Sequence, residues 1–235
     1  YLALGIDCAG AEYLAPAAFD ASLAATKAWW QAQRPAAFAG GSADLSGWMA
    51  WVGIQPVLRR ICGCSFLPHH DYGRGGRGWR DLWQDCLALL LTDPTAVRGD
   101  LVRYFAGVRA DGTNATIIGR EPGEFLADRN HIVRVWMDHG YWPLLTVNLY
   151  IQQTGDLDIL LEQQPYFCDD RKHRGELLAG ADAAPAGNAL QSGGAVVRGT
   201  VLEHLITQNI TAFFDAGAHG SIRLRGADWN DALDM

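Results

Sequence analysis

Apolar residues recur at helical spacing along most of the chain. Leu45, Trp48, Met49 and Val52 fall at i, i+3, i+4 and i+7; Leu202, Leu205 and Ile206 do the same, with Ile210 and Phe213 beyond. The pattern is clearest between Trp79 and Leu91. There Leu82, Trp83, Cys86, Leu87 and Leu90 share one helix face, and Arg80, Asp81, Gln84 and Asp85 share the other. Asp93-Pro94 ends that helix, and Thr95 to Val108 reads as the next. Further helices are expected at about 129–138, 141–153 and 157–167, with breaks at Gly140 and Thr154-Gly155. Thr116 to Ile118 is a short strand candidate. The pattern predicts an all-α chain, and a toroid of paired helices, a helical repeat or a bundle would satisfy it equally.

Three connections interrupt the helices. His69 to Gly78, HHDYGRGGRG, carries four glycines and two arginines immediately before the amphipathic helix. Ala110 to Leu126 is polar and turn-rich. Between Gly175 and Ala195, twelve of twenty-one residues are Gly or Ala, the composition of a flexible surface insertion.

A chain of 235 residues makes one domain or part of a larger one, and 49% hydrophobic against 19% charged residues is enough to bury a core. A net charge of −7 argues against nucleic acid or an anionic membrane as the main partner. No apolar run reaches membrane-spanning length, and YLALGIDCAG lacks the features of a signal peptide, so a cytoplasmic location is expected. Cys8, Cys62, Cys64, Cys86 and Cys168 have no metal-ligand spacing and read as reduced, buried thiols. The nine tryptophans are expected mostly in the core, although a sugar-binding groove also uses flat aromatic faces.

Two clusters carry candidate chemistry. In GRGGRGWRDLWQD, Gly73 to Asp85, a glycine-rich loop opens a helix, but no G-K-[ST] and no preceding strand make it a nucleotide loop. Arg80 and Asp81 supply adjacent donors and acceptors, which two neighbouring sugar hydroxyls require; the pair also fits a solvated helix face. In RGADWNDALDM, Arg225 to Met235, the carboxylates Asp228, Asp231 and Asp234 follow one another at spacing three. With Trp229 two residues before it, Asp231 suits a general acid whose pKa is raised by desolvation. An N-cap with an acidic first turn has the same pattern. His69-His70 and Asp138-His139 lack metal partners and read as structural hydrogen-bonders. Asn114-Ala-Thr116 and Asn209-Ile-Thr211 match the glycosylation sequon without a secretion signal to support its use.

Three stretches then become recognisable: WVGIQPVLRRICGCSFLPHHDYGRGGRGWRDLWQD, VRADGTNATIIGREPGEFLADRNHIVRVWMDHGYWP and RLRGADWNDALDM. They resemble the inverting glycoside phosphorylases of glycoside hydrolase family 94, most closely the cellodextrin and laminaribiose phosphorylase branch. The likeness covers roughly residues 44 to 168 and 198 to 235. It implies an (α/α)6 barrel that is incomplete at both ends here: 1–43 as a helical lead-in, 44–235 as the first part of the barrel, and a flexible insertion at 175–195. Family members carry an additional N-terminal β-rich domain, and their barrel continues past the Trp-Asn-Asp motif with the elements that bind phosphate.

By motif, Asp231 matches the general acid; Arg80, Asp81 and Trp229 match the donor sugar subsite; Arg74 matches an arginine near the reaction centre; and Asp138 matches a sugar contact. The resemblance implies reversible phosphorolysis of β-linked gluco-oligosaccharides to α-glucose 1-phosphate. It also implies inorganic phosphate as the co-substrate and no metal or organic cofactor, with a homodimer one arrangement open to the full-length parent. A phosphorylase-like domain of a cyclic β-glucan synthase and a carbohydrate-binding fragment without catalysis are the alternatives.

Overall fold

The computed structural model describes residues 10–34, 37–38, 40–62, 78–119, 123–127, 136–169, 189–223 and 225. The chain divides into two units, Tyr1–Leu58 and Arg59–Met235. In the first, helix α1 (Pro16–Ala32) opens on a proline at its first turn, where the missing N–H costs nothing. It buries no residue and leaves Phe19, Leu23 and Trp29 exposed. Helix α2 (Ala43–Cys62) starts where the Ser42 hydroxyl accepts from Leu45 N–H at 3.2 Å. Its predicted stripe is present, but Leu45, Trp48 and Val52 are exposed.

The core lies in the second unit. Helix α3 (Trp79–Leu90) buries Trp79, Leu82, Trp83, Cys86, Leu89 and Leu90, largely the face predicted from spacing. Asp85, expected on the polar face, is buried as well. The Asp93 carboxylate caps helix α4 (Pro94–Tyr104) by accepting from Ala96 N–H, and Pro94 fills the first turn. The helix expected to reach Val108 tightens into a 3-10 turn at Phe105–Gly107. Trp83 meets Trp79, Tyr104 and Phe105 edge-on at centroid separations of 5.6, 5.5 and 5.1 Å. Gly107 closes this cluster: a Cβ there would lie 2.5 Å from Trp79 and 2.8 Å from Phe125.

Short antiparallel ladders join the helices, which the all-α expectation omits. β1 (Ile117–Ile118) pairs with β2 (Phe125–Leu126), so the candidate at Thr116 to Ile118 is a strand. Helix α5 (Tyr141–Thr154) ends on Gly155 in the left-handed conformation. The helix expected over 157–167 is instead a 3-10 turn, Asp158–Leu161, followed by strand β3 (Gln163–Pro165). Pro165 explains the difference, because a proline biases the residue before it towards extended backbone. Of the helix expected at 129–138, residues 129–135 lie outside the described residues, and 137–140 form a turn.

Much of the Ala/Gly-rich segment also lies outside the described residues, which resume at Ala189. β4 (Gln191–Ser192) and β5 (Ala195–Val196) form a hairpin on Gly193 and Gly194, both at positive φ. β6 (Arg198–Thr200) then pairs with β3. Thr200 and Glu203 form a reciprocal capping box that starts helix α6 (Val201–Phe214).

Helix α6 does not bury the stripe that its spacing predicts. Leu205 is inside, but Leu202, Ile206, Ile210 and Phe213 are exposed, the last by 72%. Val201, His204 and Gln208 occupy the interior with Leu205. The His204 ring stacks on Tyr166 at 4.1 Å, and its Nδ1 lies 2.8 Å from the Thr200 carbonyl oxygen. A stacked, hydrogen-bonded imidazole can be buried at a position that hydrophobicity alone assigns to the surface.

The tryptophan expectation is corrected in the same way. Trp79 and Trp83 are fully buried, whereas Trp29, Trp48 and Trp51 are about half exposed. Cys86 and Cys168 are free thiols. No helix among the described residues is long and apolar enough to cross a membrane.

Candidate functional site

The polar centre of the second unit forms where the first turn of α3 meets the turn at 136–140. The Arg80 guanidinium forks onto Asp138: Nε donates to Oδ2 at 2.8 Å and Nη2 to Oδ1 at 3.0 Å. Trp142, in the first turn of α5, donates its indole N–H to the same Oδ2 at 2.9 Å. Both carboxylate oxygens of Asp138 are therefore engaged. Burial alone would raise its pKa, but the Arg80 and Trp142 hydrogen bonds and the guanidinium charge hold it below the ordinary carboxylate range.

Beneath the fork lies an aromatic layer. The Arg80 guanidinium carbon sits 4.8 Å from the Trp136 ring centroid, and Trp136 stacks on His139 at 5.0 Å with the planes 6° apart. Asn114 Nδ2 donates to His139 Nδ1 at 2.9 Å and to the Ala115 carbonyl at 2.6 Å, which leaves the imidazole proton on Nε2. Trp79 Nε1 donates to the His139 carbonyl at 3.0 Å and ties the turn to the core. His139 is 4% exposed, and burial pushes its pKa down to about 3, so the ring is neutral at physiological pH.

That shift has a sign that can be tested. The unfolded His139 binds a proton below about pH 6.5 while the folded one does not. Its contribution to stability is present above pH 6.5 and is lost as pH falls towards 3; His204, also lowered chiefly by burial, acts in the same direction. Stability is expected to fall from about pH 6.5 downward with a slope approaching ~1.4 kcal/mol per pH unit from His139, with His204 adding in the same direction. Denaturant melts across pH check this, and His139→Gln should flatten the profile.

Of the six residues predicted for the site, the structure brings Arg80 and Asp138 together across 58 positions of sequence. Asp81 is half-buried on the first turn of α3, with a carboxylate oxygen 3.1 Å from the position of a Cβ on Gly78. Arg74, Trp229 and Asp231 lie outside the described residues. Gly78 and Arg225, described residues that border those segments, are both held by backbone bridges. Gly78, where the glycine-rich loop ends, bridges to Ile117, and the next residue donates its N–H to the Thr116 carbonyl at 2.7 Å. Arg225, where the Trp-Asn-Asp segment begins, bridges to Trp136 and is held by two hydrogen bonds to the Asp215 carboxylate.

Spacing passed over Trp136, Trp142, Asn114 and His139 as a group. Trp142 was within reach, since i, i+4 places it over Asp138. Asn114, whose sequence context is a sequon, is 5% exposed and committed to internal hydrogen bonds. No cluster of three or more His, Cys, Asp or Glu side chains suited to a metal ion occurs among the described residues.

No protein-family profile matches the chain. A segment of 100 residues, 43% of this chain, is 31% identical to a solabiose phosphorylase from Paenibacillus borealis, of which it covers 10%. The chain thus spans far less than the length of that relative. It is a distant, partial relative of a glycoside phosphorylase.

Proposed function

We propose that the parent protein is an inverting phosphorylase of β-linked gluco-oligosaccharides, of the glycoside hydrolase family 94 type, and that this chain is part of its (α/α)6 barrel. The observation that carries the reading is the convergence on one centre. Arg80 lies over Trp136 and forks onto Asp138, Gly78 just before it bridges to Ile117, and Arg225 bridges to Trp136. The partial likeness to a phosphorylase supports it.

In this reading Arg80 and Asp81 hold the donor sugar with Trp229, and Arg74 lies near the incoming phosphate. Asp138 keeps the guanidinium plane fixed beside the sugar. Asp231 gives its proton to the glycosidic oxygen as a phosphate oxygen attacks the anomeric carbon from the opposite face. The C1–O bond to the leaving sugar breaks, the C1–O bond to phosphate forms, and α-glucose 1-phosphate results. An inverting hydrolase needs a second carboxylate to activate water. Phosphate is already a charged nucleophile, so a single acid suffices and no metal or organic cofactor is required.

The full-length parent is expected to release glucose 1-phosphate from a β-glucan oligosaccharide only when phosphate is supplied. Equal sugar release in phosphate-free buffer would identify a hydrolase, and sugar binding without turnover in either buffer would identify a binding protein.

A further inference from the structure

A second polar feature lies beside the Arg80–Asp138 pair. A pocket of about 30 Å³ opens between the loop at Gly112–Asn114, the turn carrying Trp136 and Gly140, and helix α6, with Asp215 and Arg223 at its edge. Gln208 lines it and is 1% exposed, yet neither its Nε2 nor its Oε1 has a partner. Trp136 lines the same pocket, and its buried indole Nε1 also lacks a partner. Other polar groups on the wall are engaged. Asn114 serves His139 and the Ala115 carbonyl, Thr211 Oγ1 donates to the Asp111 carbonyl at 2.7 Å, and Asp215 holds Arg225.

Buried carboxamides and indole N–H groups are nearly always hydrogen-bonded. Three unpartnered atoms on two residues that line one pocket point to what fills it. The nitrogens of Gln208 and Trp136 require an acceptor, and the Gln208 oxygen requires a donor. Among common small groups, a hydroxyl supplies both. A cation would meet two N–H groups, and an anion would meet the Gln208 oxygen and the Asp215 carboxylate.

We propose that this pocket is a binding site for hydroxyl oxygens, held by the Gln208 carboxamide and the Trp136 indole. A water needs roughly 10–15 Å³ on this measure, so about two oxygens fit and a pyranose ring does not. Two sources supply this chemistry: water, or the hydroxymethyl arm of a sugar. The second source rests on the phosphorylase reading above. Trp136 belongs to both features, so the occupant touches the ring on which Arg80 lies, and Gln208 acts on that site by positioning Trp136.

Two measurements on the full chain test this. The first is a crystal structure at a resolution that shows waters, with and without glucose. Oxygen density within hydrogen-bond reach of Gln208 and the Trp136 indole is expected in the sugar-free crystals. A dry pocket, or Gln208 and Trp136 paired with protein groups instead, overturns the proposal. With glucose present, replacement of that density by a sugar hydroxyl identifies the sugar as occupant. Unchanged waters keep the site and assign it to water alone, and leave the phosphate test of the parent's activity untouched.

The second measurement is proton exchange at the Trp136 indole, assigned with Trp136→Phe. Gln208→Met preserves shape and removes both hydrogen-bonding atoms, so exchange should accelerate by about tenfold or more as the bridging oxygens are lost. An unchanged exchange rate counts against the site even where the variant folds normally.

Discussion

Asp231→Asn in the full-length parent is expected to lower phosphorolysis by about 10²–10⁴-fold, the usual scale for losing a general acid. The substitution keeps the shape of the side chain and removes the transferable proton. Sugar affinity should change little, because the donor sugar in this reading is held by Arg80, Asp81 and Trp229. The loss should also depend on the leaving group. A substrate whose departing oxygen is already a weak base needs little protonation, so an activated aryl glucoside should recover much of the rate while a disaccharide should not. Initial rates of glucose 1-phosphate release on the two substrates decide the matter. Near-normal turnover of the disaccharide would move the acid role to another carboxylate, with Asp228 and Asp234 the neighbours at the same spacing.

What was legible in the sequence was local. The face of α3, the Asp93-Pro94 start of α4, the Gly155 stop of α5 and the strand at Ile117 all follow from neighbours within one turn. The misses share a physical cause, which is that distant partners overrode local preference. His204 and Gln208 are buried in α6 where four apolar residues had the better claim by hydrophobicity, and the stacking of His204 on Tyr166 is invisible to any window along the chain. Pro165, by contrast, is a local signal, since it biases Gln164 towards the extended backbone of the strand that pairs with β6.

The candidate site divides the same way. Residue chemistry singled out Arg80 as half of a donor–acceptor pair, with Asp81 beside it. The structure also gives that guanidinium an acceptor from Asp138, 58 positions away, with both fork bonds made. Asp138 entered only through family likeness, and nothing in its own spacing named its partner. Trp136 shows the limit most clearly: its value lies in touching Arg80, His139 and the start of the Trp-Asn-Asp segment at once, and those contacts exist only in the folded chain.

Asp138→Asn and Arg80→Lys are expected to lower both stability and turnover, for related reasons. An asparagine in place of Asp138 offers one acceptor and turns its amide N–H₂ towards the other arm of the guanidinium. Arg80, at 15% side-chain exposure, then loses the Asp138 charge and one of the two fork bonds. Losing a hydrogen bond to a charged, partly buried group typically costs about 1–3 kcal/mol. At about 2–4 °C per kcal/mol for a domain of this size, the melting temperature should fall by several degrees. Arg80→Lys keeps the charge, but an ammonium can neither span both oxygens of Asp138 nor lie flat on Trp136. A solvated-face role predicts the opposite, with both variants within about 0.5 kcal/mol of wild type. Acid gives an independent check. The folded Asp138 carboxyl titrates below its ordinary range, so the pair's contribution is complete above about pH 4 and disappears as pH falls through the lowered value. Wild type and Asp138→Asn should therefore differ in stability at pH 7 and converge in strong acid. A constant gap across the whole range would mean that Asp138 acts through its shape and not through its charge on Arg80.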